Sequence, residues 1–146
     1  RGYVIVSPAV LGVSLAERAG EVIDRVFEWM DENVSYDASR VVLVGQSNGG
    51  LGVFHAARAQ PDRFASIVVM PGGFRGQGFL DQLKGKPVWL IVGERDTRWV
   101  QLSERTRDLL VQAGAAPTLT VVPGQGHVFR FSSHELYDWI EAVHKY

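Results

Sequence analysis

A serine, an aspartate and a histidine stand at positions 47, 96 and 127 of this 146-residue chain, each shortly after a run of apolar, largely β-branched residues. A serine hydroxyl is a poor nucleophile at neutral pH. It becomes a good one when an imidazole accepts its proton and a carboxylate fixes the imidazole's tautomer. Ser47 sits in VVLVGQSNGGLG, where four apolar residues lead into a cluster of glycines. Of the four histidines, His55 falls inside the helical pattern after Ser47. His134 opens the last helical pattern and His144 closes it, where a cation suits the helix dipole. His127, in LTVVPGQGHVF, has the loop position that a mobile base requires. The acid comes from PVWLIVGERDTRW. Asp96 lies three residues past Gly93, and Glu94 is the alternative, closer to the strand end and with less freedom to reach across. The competing reading of Asp96 is a solvated turn residue.

These residues need elements to aim them. Five short apolar segments read as buried strands: Tyr3–Ser7, Val41–Gly45, Ser66–Met70, Val88–Gly93 and Thr118–Val122. Continuous apolar runs, rather than alternating ones, predict a parallel sheet covered on both faces. Helical spacing fills the intervals. Leu15–Glu32 carries apolar residues at Leu15, Ala19, Val22, Ile23, Val26, Phe27 and Met30, with Ser14 and Glu17 forming a capping-box pattern. Asn48–Ala59, Val100–Ala113 and Ser133–His144 follow, the second ended by Pro61 and the third by Gly114. Strand and helix alternate, which predicts an α/β fold, a mostly parallel sheet with flanking helices, in one domain over residues 1–146. Ser47, Asp96 and His127 then all lie past the C-terminal ends of strands, the edge where sites assemble in open parallel sheets.

Composition narrows the chemistry. The net charge is −1, so no global field draws the chain to nucleic acid or to an anionic membrane. No apolar run approaches the ~20 residues of a membrane span. Cysteine is absent, which removes thiol catalysis, thiolate metal sites and disulfides. No His or carboxylate cluster has metal-ligand spacing, so neither metal nor other cofactor is expected.

The stretch Gly45-x-Ser47-x-Gly49 has the pattern of a nucleophile elbow, a sharp strand-to-helix turn that leaves the serine hydroxyl projecting. The phosphate-binding alternatives fail, because no Lys follows and residue 47 is not glycine. DASRVVLVGQSNGGLGVFHAARAQPDRFASIVVMPGGF, GKPVWLIVGERDT and VVPGQGHVF resemble the elbow, acid turn and histidine loop of α/β-hydrolases. The likeness is to the esterase and predicted-peptidase group that includes polyhydroxybutyrate-depolymerase-like enzymes. The resemblance implies a triad of Ser47, Asp96 and His127, with the backbone N–H of Asn48 as one oxyanion donor. It implies a serine esterase that takes a small-molecule or polymer ester. Phe74, Trp99 and Val128 are candidate rim contacts, with ordinary loop packing as the other reading.

The resemblance covers the C-terminal part of that fold. RGYVIVSPA is similar to the family's fourth strand, and nothing matches the upstream loop that supplies the second oxyanion donor. With the third strand absent, Tyr3–Ser7 must pair directly with Val41–Gly45 or sit across a gap. Three helices would share one face and Ser133–His144 alone would cover the other. An N-terminal segment of the same protein, or a homodimer partner, is therefore expected over the bare face. Two rival functions stand beside hydrolysis: an acyltransferase with the same triad, and a non-catalytic hydrolase-like binding domain.

Overall fold

Valine and isoleucine runs build the sheet because branched side chains pack well on a pleated surface buried on both sides. The computed structural model describes residues 2–9, 15–76 and 78–144. Its strands are β1 (Val42–Gly45), β2 (Ser66–Val69), β3 (Pro87–Gly93) and β4 (Ala116–Val122). They are all parallel and lie in the order β1-β2-β3-β4. Val42 pairs with Ser66, Ile67 with Val88 and Pro87 with Ala116. Because every strand runs the same way, all the C-terminal ends meet at one edge.

The helices are α1 (Leu15–Asn33), α2 (Asn48–Ala59), α3 (Thr97–Gln112) and α4 (Ser133–Val143). Strands added in one direction through right-handed crossovers put successive helices on one face. The core follows that rule. Phe27 and Met30 of α1, Val53, Phe54 and Ala57 of α2 and Leu110 of α3 pack with Ile67, Val69, Val88 and Leu90. The alternate residues Val68, Trp89 and Ile91 face the other way, against Leu136 and Trp139 of α4 and Phe129 and Phe131 before it. Arg63 fastens the end of α1 to the turn before β2. Its guanidinium lies 4.0 Å over the Phe27 ring and donates to Asp31 at 2.8 Å.

Several expectations need correction. Tyr3–Ser7 is not a strand, and β1 pairs with β2 alone among the described residues. Val4 and Ile5 are exposed, while Tyr3 stacks on Tyr137 of α4 at 4.9 Å. Strand propensity needs a ladder partner to act, and this run has none. Burial on both faces holds for β2 and β3, whereas β1 and β4 are edge strands with Val44 and Val121 exposed. Helix α3 begins at Thr97 rather than Val100, with Asp96 as its N-cap and Trp99 in its first turn. Ser14, the expected cap of α1, lies outside the described residues. His144 is the C-cap residue of α4. It stands 3.1 Å from the buried Ser66 hydroxyl, and burial, aided by the charge of Arg40, pushes its pKa below the usual histidine value.

Candidate active site

Ser47 closes the turn from β1 into α2 with φ 54° and ψ −112°. A non-glycine residue in that region costs of order 1–3 kcal/mol and persists only where its surroundings enforce it. The surroundings here are tight. A Cβ on Gly45 would sit 2.3 Å from the Gly49 carbonyl oxygen, so only glycine allows strand and helix to approach this closely. The Ser47 N–H donates to the Pro71 carbonyl at 2.9 Å, tying the turn to the loop after β2.

The hydroxyl of Ser47 lies 2.9 Å from Nε2 of His127. On the other side of the ring, Nδ1 of His127 lies 2.5 Å from Oδ2 of Asp96. The structure therefore brings together the three residues that the sequence singled out. They are 80 and 31 residues apart along the chain. The side chain of Asp96 is 16% exposed and that of His127 is 42% exposed, so the carboxylate is sheltered and the imidazole faces solvent.

Serine and aspartate are preferred N-cap residues, and a cap is worth about 1 kcal/mol. Ser47 is the N-cap of α2 and Asp96 the N-cap of α3, yet neither side chain caps its helix. Both reach instead to His127. An imidazole held between a hydroxyl and a carboxylate can take the hydroxyl's proton while the carboxylate steadies the resulting cation. The first residue of α2 is Asn48, whose backbone N–H precedes any intrahelical acceptor and stands beside Ser47.

Residues 93–96 grip the histidine loop at successive points. The Glu94 N–H donates to Val122 O at 3.0 Å and the Arg95 N–H to Gln125 O at 2.8 Å. The Glu94 carboxylate accepts from the Gly124 N–H at 2.7 Å. A Cβ on Gly93 would lie 2.1 Å from Gly126 O, so the loop rests directly on that glycine. Glu94, the alternative acid, thus holds the loop from which His127 projects. Nothing in its sequence position distinguishes that role.

The three rim candidates part company. The Trp99 ring lies 5.4 Å from the His127 ring, and Val128 is 80% exposed beside it. Phe74 is not a rim residue. It is buried against Phe54 and Phe79, because Ser103 of α3 donates to Gly72 O and Thr106 accepts from the Phe74 N–H, drawing its loop inward.

Residues 20–145 match the family model Esterase, described as "Putative esterase". Among solved structures, the chain is similar to a carboxylesterase from Mesorhizobium loti, with a TM-score of 0.73 and 16% identity. That match covers 87% of this chain and 61% of the other. It is also similar to SOBER1 of Arabidopsis thaliana (TM-score 0.68, 21% identity, 89% of this chain and 66% of that one). A third likeness is to the Bacillus cereus carboxylesterase (TM-score 0.64, 21% identity, 88% and 58%). The chain spans less than two thirds of the length of each of these structures. Curated protein sequences gave no match.

Proposed function

The chain belongs to this esterase family of α/β-hydrolase fold, and from that premise we propose that it is a serine hydrolase cleaving carboxylic esters through an acyl-enzyme on Ser47. One observation carries the proposal: two N-cap side chains forgo their helices to meet on a single imidazole.

His127 takes the Ser47 proton as the oxygen attacks the ester carbonyl. Asp96 holds the Nδ1–H tautomer and stabilises the imidazolium. The proton then passes to the departing alkoxide, and the acyl group remains on Ser47. Water, deprotonated by the same imidazole, attacks the acyl carbon; the imidazolium returns that proton to the departing Ser47 oxygen and the acid is released. In this reading the Asn48 N–H, at the start of α2, donates to the tetrahedral oxyanion, and the loss of such a donor costs roughly 10²–10³ in rate. Exposure of His127 supports hydrolysis over acyl transfer, since water reaches the imidazole freely. Between β2 and β3 the described residues form one short helical turn, Leu80–Leu83, and no long helix. That openness supports an accessible small ester or a polymer chain end as substrate.

The test is covalent labelling. A fluorophosphonate is expected to modify the folded protein once, with the adduct mapped by mass spectrometry to Ser47. Absence of that adduct in folded protein overturns the reading and leaves a binding domain in its place.

Glu94 offers a finer check. Glu94→Ala removes the acceptor for the Gly124 N–H and is expected to lower kcat about tenfold with KM little changed, because a displaced base costs rate rather than binding. Glu94→Gln keeps an amide oxygen there and is expected to retain most of the rate. Steady-state kinetics on both variants decides it; equal losses in the two would point to charge rather than position.

A further inference from the structure

The loops at the C-terminal edge of the sheet carry a charge bias that the whole chain lacks. Residues 71–79, 94–99 and 123–132 hold four arginines, Arg75, Arg95, Arg98 and Arg130, against two carboxylates, Glu94 and Asp96. Both carboxylates are engaged, one by the Gly124 N–H and the other by His127. All four arginines are exposed, and none has a carboxylate partner among the described residues. The chain as a whole is slightly acidic, with net charge −1. The cationic rim is therefore local to the site.

Arg75 is the member with a fixed address. Its guanidinium carbon lies 5.7 Å from the centre of the Trp99 ring, whose own centre lies 5.4 Å from that of His127. Stacking on an aromatic face orients the guanidinium and leaves its N–H edge free to bind. The loop beneath it is held firmly. The Ser103 hydroxyl donates to Gly72 O at 3.0 Å, and the Phe74 N–H donates to Thr106 Oγ1 at 2.9 Å. Ser103 and Thr106 are fully buried polar side chains on α3, the same helix that carries Trp99 in its first turn. A Cβ on Gly73 would lie 2.6 Å from Leu102, so the loop lies flat on that helix. Phe74 anchors the loop from inside, immediately before Arg75.

We propose that Arg75, stacked on Trp99, forms an anion subsite that selects esters carrying a carboxylate one short acyl chain away from the scissile carbonyl. This rests on Ser47 and His127 acting as proposed above. A single guanidinium fork matches the two oxygens of a carboxylate through two parallel N–H···O bonds. Arg95, Arg98 and Arg130 add a diffuse field that favours anionic substrates and weakens with salt.

The experiment compares p-nitrophenyl hemiglutarate with its methyl ester, a neutral analogue of the same length. The wild type is expected to prefer the hemiglutarate in kcat/KM. Arg75→Ala is expected to lower kcat/KM for the hemiglutarate about tenfold, and Arg75→Glu further, with the neutral ester changed less than about twofold. Wild-type preference for the neutral ester, or an unchanged ratio in both variants, overturns the subsite. Fluorophosphonate labelling of Ser47 in each variant tests the catalytic reading separately. Should turnover be absent, glutarate is titrated while the indole N–H resonance of Trp99 is followed by NMR. A saturable shift in wild type that is lost in Arg75→Ala supports the subsite. No shift, or the same shift in both proteins, overturns it.

Discussion

His127→Ala is expected to lower kcat/KM for ester hydrolysis by about 10⁵-fold, with Asp96→Asn costing about 10⁴-fold. The imidazole touches both the attacking oxygen and the carboxylate, at 2.9 and 2.5 Å, so its loss removes proton transfer altogether. The asparagine keeps the shape of the acid but disfavours the Nδ1–H tautomer. The two losses should not add, because both variants disable one proton relay, and the double variant should resemble His127→Ala alone. Neither substitution should cost much stability, since the His127 side chain is 42% exposed and the Asp96 carboxylate caps no helix. Kinetics on a simple p-nitrophenyl ester, with urea denaturation of each variant, checks both statements. A loss under tenfold for His127→Ala in a protein of unchanged stability would exclude general-base catalysis by this residue.

Gly50→Ala is expected to lower stability by about 3 kcal/mol, the upper part of the usual range for overpacking. An added Cβ would lie 2.2 Å from Pro71 O and 2.9 Å from the Cα of Gly72. Both neighbours are backbone, so no side chain can turn aside. Pro71 O also accepts the Ser47 N–H at 2.9 Å, and the Gly73 N–H donates to Gly50 O at 3.3 Å. Relief of the clash therefore shifts the serine, and a misplacement near 1 Å costs roughly 10²-fold in rate. Gly126→Ala is the matched control beside His127. Nothing lies within 4 Å of a Cβ there, and its stability should stay within about 0.5 kcal/mol of wild type. Equal denaturation midpoints for Gly50→Ala and Gly126→Ala would refute the account of close backbone approach at the turn.

Much of this site is legible along the chain because its parts obey local rules. A sharp strand-to-helix turn needs glycine at Gly45, where a Cβ would meet the Gly49 carbonyl four residues on, whereas Gly50 is required by the distant loop at Pro71 and Gly72. Buried parallel strands need the continuous valine and isoleucine runs of β2 and β3, and Ser47, Asp96 and His127 follow the ends of β1, β3 and β4. The order of serine, aspartate and histidine then falls at three strand ends. Other features are decided by contacts between distant segments. Phe74 and Trp99 are both loop or loop-adjacent aromatics in the sequence, and only the packing of α3 buries one and stands the other against His127. Glu94 and Asp96 are neighbouring acids in one turn, and only the position of the loop after β4 sends one to a backbone N–H and the other to an imidazole. The β-branched run at Tyr3–Ser7 shows the converse. It has every local preference of a strand and stays unpaired among the described residues, with Tyr3 packed on Tyr137 of α4 instead.

The sequence by itself therefore determined the parallel α/β architecture, the turn at Ser47 and the identities of the three residues that meet there. Those depend on backbone sterics and side-chain periodicity, which act over a few residues. Tertiary structure alone decided that Ser47 and Asp96 give up their caps to His127, that Glu94 clasps the histidine loop, and that Arg75 rides on Trp99. Each of these is a pairing between side chains or loops brought together by strand order, and hydrogen-bond and stacking geometry exists only once the sheet has set those strand ends side by side.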